Sequence, residues 1–164
     1  MIKNNHTISV LVNNKPGVLL RIATIFSRRT FNIDSLVVSP ALDGVYSRMT
    51  ITAIGNLETL EQIIKQLNKL IDVIHASEHQ QENSIEREIA LIKVHTSTQQ
   101  RTEALQLVNH FKGETIDVSN KTLLIQITGS TDKLDAAIKL FEKFNILEII
   151  RSGKLLMSRG EAHT

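Results

Sequence analysis

The feature that most limits what this chain can fold into is a hydrophobic period that switches in a fixed order and then repeats that order. Ile8, Val10 and Val12 alternate with Thr7 and Ser9. That is the period of a half-buried strand and predicts β-structure over 6–13. Val18, Leu19, Ile22, Ile25 and Phe26 then recur at helical spacing, as one apolar face. "IDSLVVSP" reads as a second strand ending before Pro40, which has no N–H for a ladder. "ALDGV" turns at Asp43-Gly44, a hairpin signal. "YSRMTITAI" alternates with Met49, Ile51 and Ala53 on one face, and Leu57, Leu60, Ile63, Ile64, Leu67 and Leu70 form a second helical stripe. "IDVIHASE" closes the half as a fourth strand. The order is β-α-β-β-α-β.

"EHQQENSIERE" follows, polar and charged, and predicts a linker over 79–85 between a first domain, 1–78, and a second, 86–164. The same order then returns. "IALIKVHT" reads as a strand, and Thr102 to Phe111 as a helix with Ala104, Leu105, Val108 and Phe111 inward. "GETIDVS" and "TLLIQITG" read as strands joined at Asn120-Lys121. Ser130 or Thr131 can cap a helix with Leu134, Ala137, Ile138 and Phe141 inward, and "ILEIIRSG" reads as the last strand. The fold class is α+β: two tandem ferredoxin-like βαββαβ sandwiches, each a four-stranded antiparallel sheet with two helices on one face. One covered sheet face buries both helical stripes and the apolar side of the strands. A half of this size has a thin core, and pairing its edge with a second copy would cover an exposed strand, so a homodimer is expected.

Composition and motifs exclude more than they assign. With 164 residues, 41% of them apolar and 22% charged, the chain is ordinary for a globular protein. A net charge of +2 with interspersed signs implies no polyanion partner. There is no cysteine, so neither a disulfide nor thiolate chemistry is available. No apolar run is long enough to span a bilayer, and "MIKNNHTISV" lacks the features of a signal or transit peptide. The expected location is the cytoplasm, or a plastid if the gene is organelle-encoded. No nucleophile elbow, P-loop or dinucleotide fingerprint is present. His75 and His79 have the spacing of helical metal ligands, but their stretch reads as a strand end with two solvated histidines. Glu86, Arg87 and Glu88 read as a solvated charge run, and Asp132 and Asp135 as first-turn residues of a helix. RNA-binding modules share this element order but stack bases on sheet aromatics. Here aromatics make up 4% of the chain, with no tryptophan and one tyrosine, so no nucleic-acid partner is expected.

One junction keeps two readings open. In "VNNKPGVLL" a strand stops, Asn14, Lys15, Pro16 and Gly17 turn, and a helix begins. Proline suits a helix start and glycine allows close approach. The first helical N–H groups have no internal partner and favour an anion, and Asn14 can both donate and accept. Asn32 stands at the far end of the same helix, so it reaches that turn poorly within one chain but could meet it on a neighbouring copy. The plain alternative is a strand–helix connection and a helix stop.

The blocks "NNKPGVLLRIATIFSRRTFNIDSLVVSP", "SRMTI", "LEQIIKQLNKLIDV", "EREIALIKV" and "RSGKLLMSRG", in this order and spacing, resemble the small regulatory subunit of acetolactate synthase (acetohydroxyacid synthase), and the first half resembles its ACT domain. The resemblance implies two ACT domains paired side by side, with a branched-chain amino acid, usually valine, at their interface. It places the effector against Asn14, Pro16 and Gly17, the following backbone at Val18 and Leu19, and the Asn32-Ile33 corner of the partner chain. Val18, Leu19 and Ile33 are candidates to line an apolar pocket. It further implies a non-catalytic chain that activates a catalytic large subunit carrying thiamine diphosphate, Mg²⁺ and FAD, and that makes the enzyme sensitive to feedback. No cofactor is expected in this chain. A free-standing ACT-type amino-acid sensor acting on another target is the alternative.

Overall fold

The structure, a computed structural model, describes residues 4–164. Its contacts divide the chain into two units: residues up to Ile85 together with Lys154–Thr164, and Glu86–Gly153.

The first unit runs β1 (Asn4–Asn13), α1 (Val18–Arg28), β2 (Asn32–Pro40), β3 (Tyr46–Gly55), α2 (Leu57–Leu67) and β4 (Val73–His79). The strands lie in the order β2-β3-β1-β4, and every pair is antiparallel. Ile8, Val10 and Val12 of β1 and Met49, Ile51 and Ala53 of β3 share one face of the sheet. They are buried with Val18, Ile22 and Phe26 of α1 and Leu60, Ile63 and Leu67 of α2. Each helix thus seals one i, i+3/i+4 stripe against one strand face, and the hydrophobic gain of about 25 cal/mol per Å² buried is concentrated in a single layer. The opposite sheet face is a hydroxyl ladder, in which Ser35 and Thr52 hydrogen-bond at 2.5 Å and Ser9 meets His79 Nε2 at 2.6 Å.

The C-terminus of α1 closes in an unusual way. The N–H of Thr30 donates to Ser27 O (3.0 Å) and that of Phe31 to Phe26 O (3.1 Å), the paired bonds of a Schellman cap. The left-handed position, usually glycine, is held by Thr30 at φ 51°. The apolar contact that accompanies this cap is Phe31 on Phe26, with ring centroids 6.3 Å apart. A Cβ at Gly55 would lie 2.0 Å from Phe31 Cε2, so only glycine leaves room for that ring.

The second unit contains most of β5 (Ser84–His95), then α3 (Thr98–His110), β6 (Glu114–Val118), β7 (Thr122–Gly129), α4 (Thr131–Phe141) and β8 (Ile146–Arg151), with strand order β6-β7-β5-β8. Ala90, Ile92, Val94, Ala104, Val108, Leu123, Ile125, Leu134 and Phe141 form its core. A short strand, β9 (Leu155–Ser158), lies in the stretch that belongs to the first unit.

Five sequence expectations are corrected. The linker over 79–85 shrinks to 80–83, because β4 extends to His79 and β5 begins at Ser84. Glu88, read as part of a solvated run, is 5% exposed. It accepts hydrogen bonds from Arg151 Nε (3.1 Å) and Nη2 (2.6 Å) and from the Thr131 hydroxyl, while Arg151 Nη1 donates to Asp135 (2.6 Å). Burial acts to lower the Arg151 pKa, but these bonds and the attraction of both carboxylates outweigh it, and the guanidinium is held above its ordinary value. Helix α3 starts at Thr98, not Thr102, under a capping box in which Ser97 and Gln100 satisfy each other's backbone N–H. Leu105 is exposed, and Leu107 packs on the core in its place. Residues 154–164, expected in the second domain, pack with the first unit: Arg159 N–H donates to Asn83 O (2.9 Å), and the Arg48 guanidinium donates to Thr164 O.

Candidate functional site

The turn from β1 into α1 is held from both sides by backbone. Asn13 N–H donates to Asp72 O (2.8 Å), before β4, and Asn14 N–H donates to Val45 O (2.9 Å). The Asn14 side-chain amide adds a bond to Gly44 O (3.2 Å), pinning the turn to the β2–β3 loop and leaving its own Oδ1 as an acceptor. That loop is itself fixed by Asp43, whose carboxylate accepts from the N–H of Val45 (3.0 Å) and Tyr46 (3.4 Å). Gly17 takes φ 83° at the N-cap of α1, a left-handed conformation that glycine adopts without strain.

The donors at this helix end are open. Val18 N–H reaches only Lys15 O at 3.4 Å, and the intrahelical ladder begins with Arg21 N–H on Gly17 O (3.2 Å). The N–H groups of Leu19 and Leu20 therefore fall in the first turn, where no intrahelical acceptor exists. No side chain caps α1 and no acidic residue stands in its first turn. By contrast, α2, α3 and α4 are each capped by a side chain, Asn56, Ser97 and Ser130 respectively. Lys15 is exposed beside the turn, and Arg21 reaches Asp72 in an ion pair. Positive potential from the helix end and from Lys15 favours a carboxylate there.

Asn32 and Ile33 lie at the other end of α1, roughly 16 Å away at 1.5 Å per residue over an 11-residue helix. There they border a cavity of about 420 Å³ together with Phe26, Thr30 and Phe31. Ala23 and Ser27 on α1 complete its wall. The lining mixes apolar carbon with a few hydroxyl and amide groups.

Of the residues singled out from sequence, the structure brings Asn14, Pro16, Gly17 and Leu19 together at one end of α1 and Asn32 with Ile33 at the other. Leu19 is 43% exposed, whereas the Val18 side chain is 2% exposed inside the core. Val18 therefore presents no apolar lining surface, a correction to its expected apolar role. His75 and His79 lie on β4, where four residues span about 13 Å, too far for one metal ion. Among the described residues no cluster of three or more metal-ligating side chains occurs, and no helix is long and apolar enough to cross a membrane. Phe31 and Thr30 escaped sequence reasoning because a threonine, rather than a glycine, stops α1.

Comparison with known proteins matches these units to one family. A profile described as the AHAS small subunit-like ACT domain matches residues 8–75, and one described as the small subunit of acetolactate synthase matches 87–160. The probable acetolactate synthase small subunit of Archaeoglobus fulgidus is 48% identical over 155 residues, covering 94% of this chain and 97% of that protein. The acetolactate synthase small subunit of Mycobacterium bovis is 48% identical over 160 residues, covering 98% and 95% respectively. The crystal structure of the acetolactate synthase small subunit from Thermotoga maritima superposes with a TM-score of 0.87 at 40% identity, covering 97% of this chain and 99% of that one. The chain therefore belongs to the acetolactate synthase small-subunit family, with an ACT domain as its first unit.

Proposed function

We propose that this chain is the non-catalytic, regulatory subunit of an acetolactate synthase, and that it binds valine or a related branched-chain amino acid where two copies of the first unit pair. The observation that carries the proposal is the uncapped N-terminus of α1 above a turn locked by Asn14. Open N–H donors at Leu19 and Leu20 suit the effector carboxylate. Asn14 Oδ1 and the Asn32 amide suit its ammonium, and Ile33 and Leu19 suit its isopropyl group. Because the two half-sites stand at opposite ends of one helix, a single zwitterion reaches both only when a second copy supplies one of them.

Thiamine diphosphate, Mg²⁺ and FAD belong in this reading to the catalytic subunit, which condenses pyruvate to 2-acetolactate. The small subunit raises that activity and lowers it again when the effector binds. Such coupling requires an effector with different affinities for two states, and about 1–3 kcal/mol gives a 5- to 150-fold response.

Reconstitution tests the proposal. The catalytic subunit of the same organism, supplied with its three cofactors, should make acetolactate several-fold faster when this chain is added, and valine should reverse the gain. This chain alone, with the same cofactors and pyruvate, should make none. A catalytic subunit indifferent to the chain, or turnover by the chain alone, would overturn the assignment.

A further inference from the structure

The wall of the cavity at the Asn32 end of α1 includes Phe31, a ring held by several distinct contacts. Phe31 is 6% exposed and lines that cavity. Three independent devices hold it. The Schellman closure ties its N–H to Phe26 O, at the expense of a left-handed conformation at Thr30 (φ 51°). For a β-branched residue that conformation is a genuine outlier, and such strain persists only where the surroundings over-determine it. Gly55 leaves the ring a slot that any Cβ would fill. His6, 5% exposed, backs the ring at 6.5 Å between centroids and is itself fixed by hydrogen bonds to Glu78 Oε1 (2.6 Å) and Gly55 O (3.2 Å).

We infer that Phe31 is the residue that sets how large an effector side chain this subunit accepts, and that Gly55 and His6 are positioning residues for it. The inference rests on the reading that the effector sits at the Asn32-Ile33 corner, and it names a determinant of selectivity within that site. A ring held this way in the cavity wall would limit the room available to an aliphatic side chain. In an apolar pocket, one methylene more or less on the ligand changes affinity by about 10- to 200-fold.

Two substitutions change the Phe31 wall in opposite senses. Phe31→Leu removes ring carbons and deepens the cavity. Gly55→Ala places a Cβ 2.0 Å from Phe31 Cε2 and forces the ring out of its slot, which in this reading narrows the cavity. Calorimetric titration of valine and of leucine into the full chain and each variant gives the leucine-to-valine affinity ratio. Relative to the parent, that ratio should rise about tenfold in Phe31→Leu and fall by a similar factor in Gly55→Ala. Thermal melts establish that each variant is folded, and either variant on its own decides the sign. A ratio unchanged within twofold in a folded variant that still binds valine overturns the role of Phe31 and leaves the effector site standing. A parent chain that binds neither amino acid overturns the effector site and this inference together.

Discussion

Replacing Gly17 with aspartate is expected to abolish effector binding while the chain stays folded. At φ 83° the position is left-handed, a conformation that aspartate tolerates better than most residues. A Cβ there meets nothing closer than Arg21 Nη1 at 3.7 Å, so bulk costs little. The new carboxylate would stand at the N-cap, where it accepts from the first-turn N–H groups of α1. It would thereby occupy the donors assigned to the effector and repel the effector's own carboxylate. Losing two charge-assisted hydrogen bonds, at about 1.5–3 kcal/mol each, lowers affinity by more than about 100-fold. The capping gain of about 1 kcal/mol offsets the backbone strain, so the melting temperature should move only a few degrees. Gly17→Ala carries the strain without the charge and should weaken valine binding less than tenfold. Calorimetry and a thermal melt on both variants check this. A Gly17→Asp chain that binds valine within threefold of the parent contradicts the site.

The second large effect concerns stability. Arg151→Met should destabilise the second unit by about 3–5 kcal/mol, because it leaves the Glu88 carboxylate buried with only the Thr131 hydroxyl to answer it. For a unit of this size that is a fall in melting temperature of more than about 12 °C. Glu88→Leu together with Arg151→Met removes both charges and should recover most of the loss, since an apolar pair of similar volume is often neutral. Denaturant melts of the two single variants and the double variant give the coupling directly. A loss below about 1 kcal/mol in Arg151→Met would mean that Glu88 is solvated after all.

Much of this was legible in the sequence, and the misses share a physical cause. The alternation at Ile8, Val10 and Val12 and the stripe at Val18, Ile22 and Phe26 mark elements whose burial follows their pattern. The Asn14 turn is legible because proline and glycine restrict the backbone locally. Glu88 was hidden because its buried position depends on Arg151, 63 residues away, and a lone sequence shows charge but not pairing. Helix α3 was shortened because its start lies in polar residues, Ser97 to Gln100, whose signal is the capping box rather than an apolar stripe. The placement of residues 154–164 with the first unit rests on contacts such as Arg48 with Thr164, which no periodicity encodes. Asn32 and Ile33 could be named, but the cavity beside them depends on the Thr30 closure and on the slot at Gly55.

The central claim is that one effector site is built from the Asn14 turn of one copy and the Asn32 corner of another. Asn14→Ala and Asn32→Ala chains, each purified alone, should bind valine weakly. Mixed in equal amounts and allowed to exchange, they form heterodimers that pair an intact Asn14 with an intact Asn32 once. Calorimetric titration of that mixture should recover parent-like affinity at about one site per heterodimer. A mixture that binds no better than the separate variants would contradict a site shared between copies.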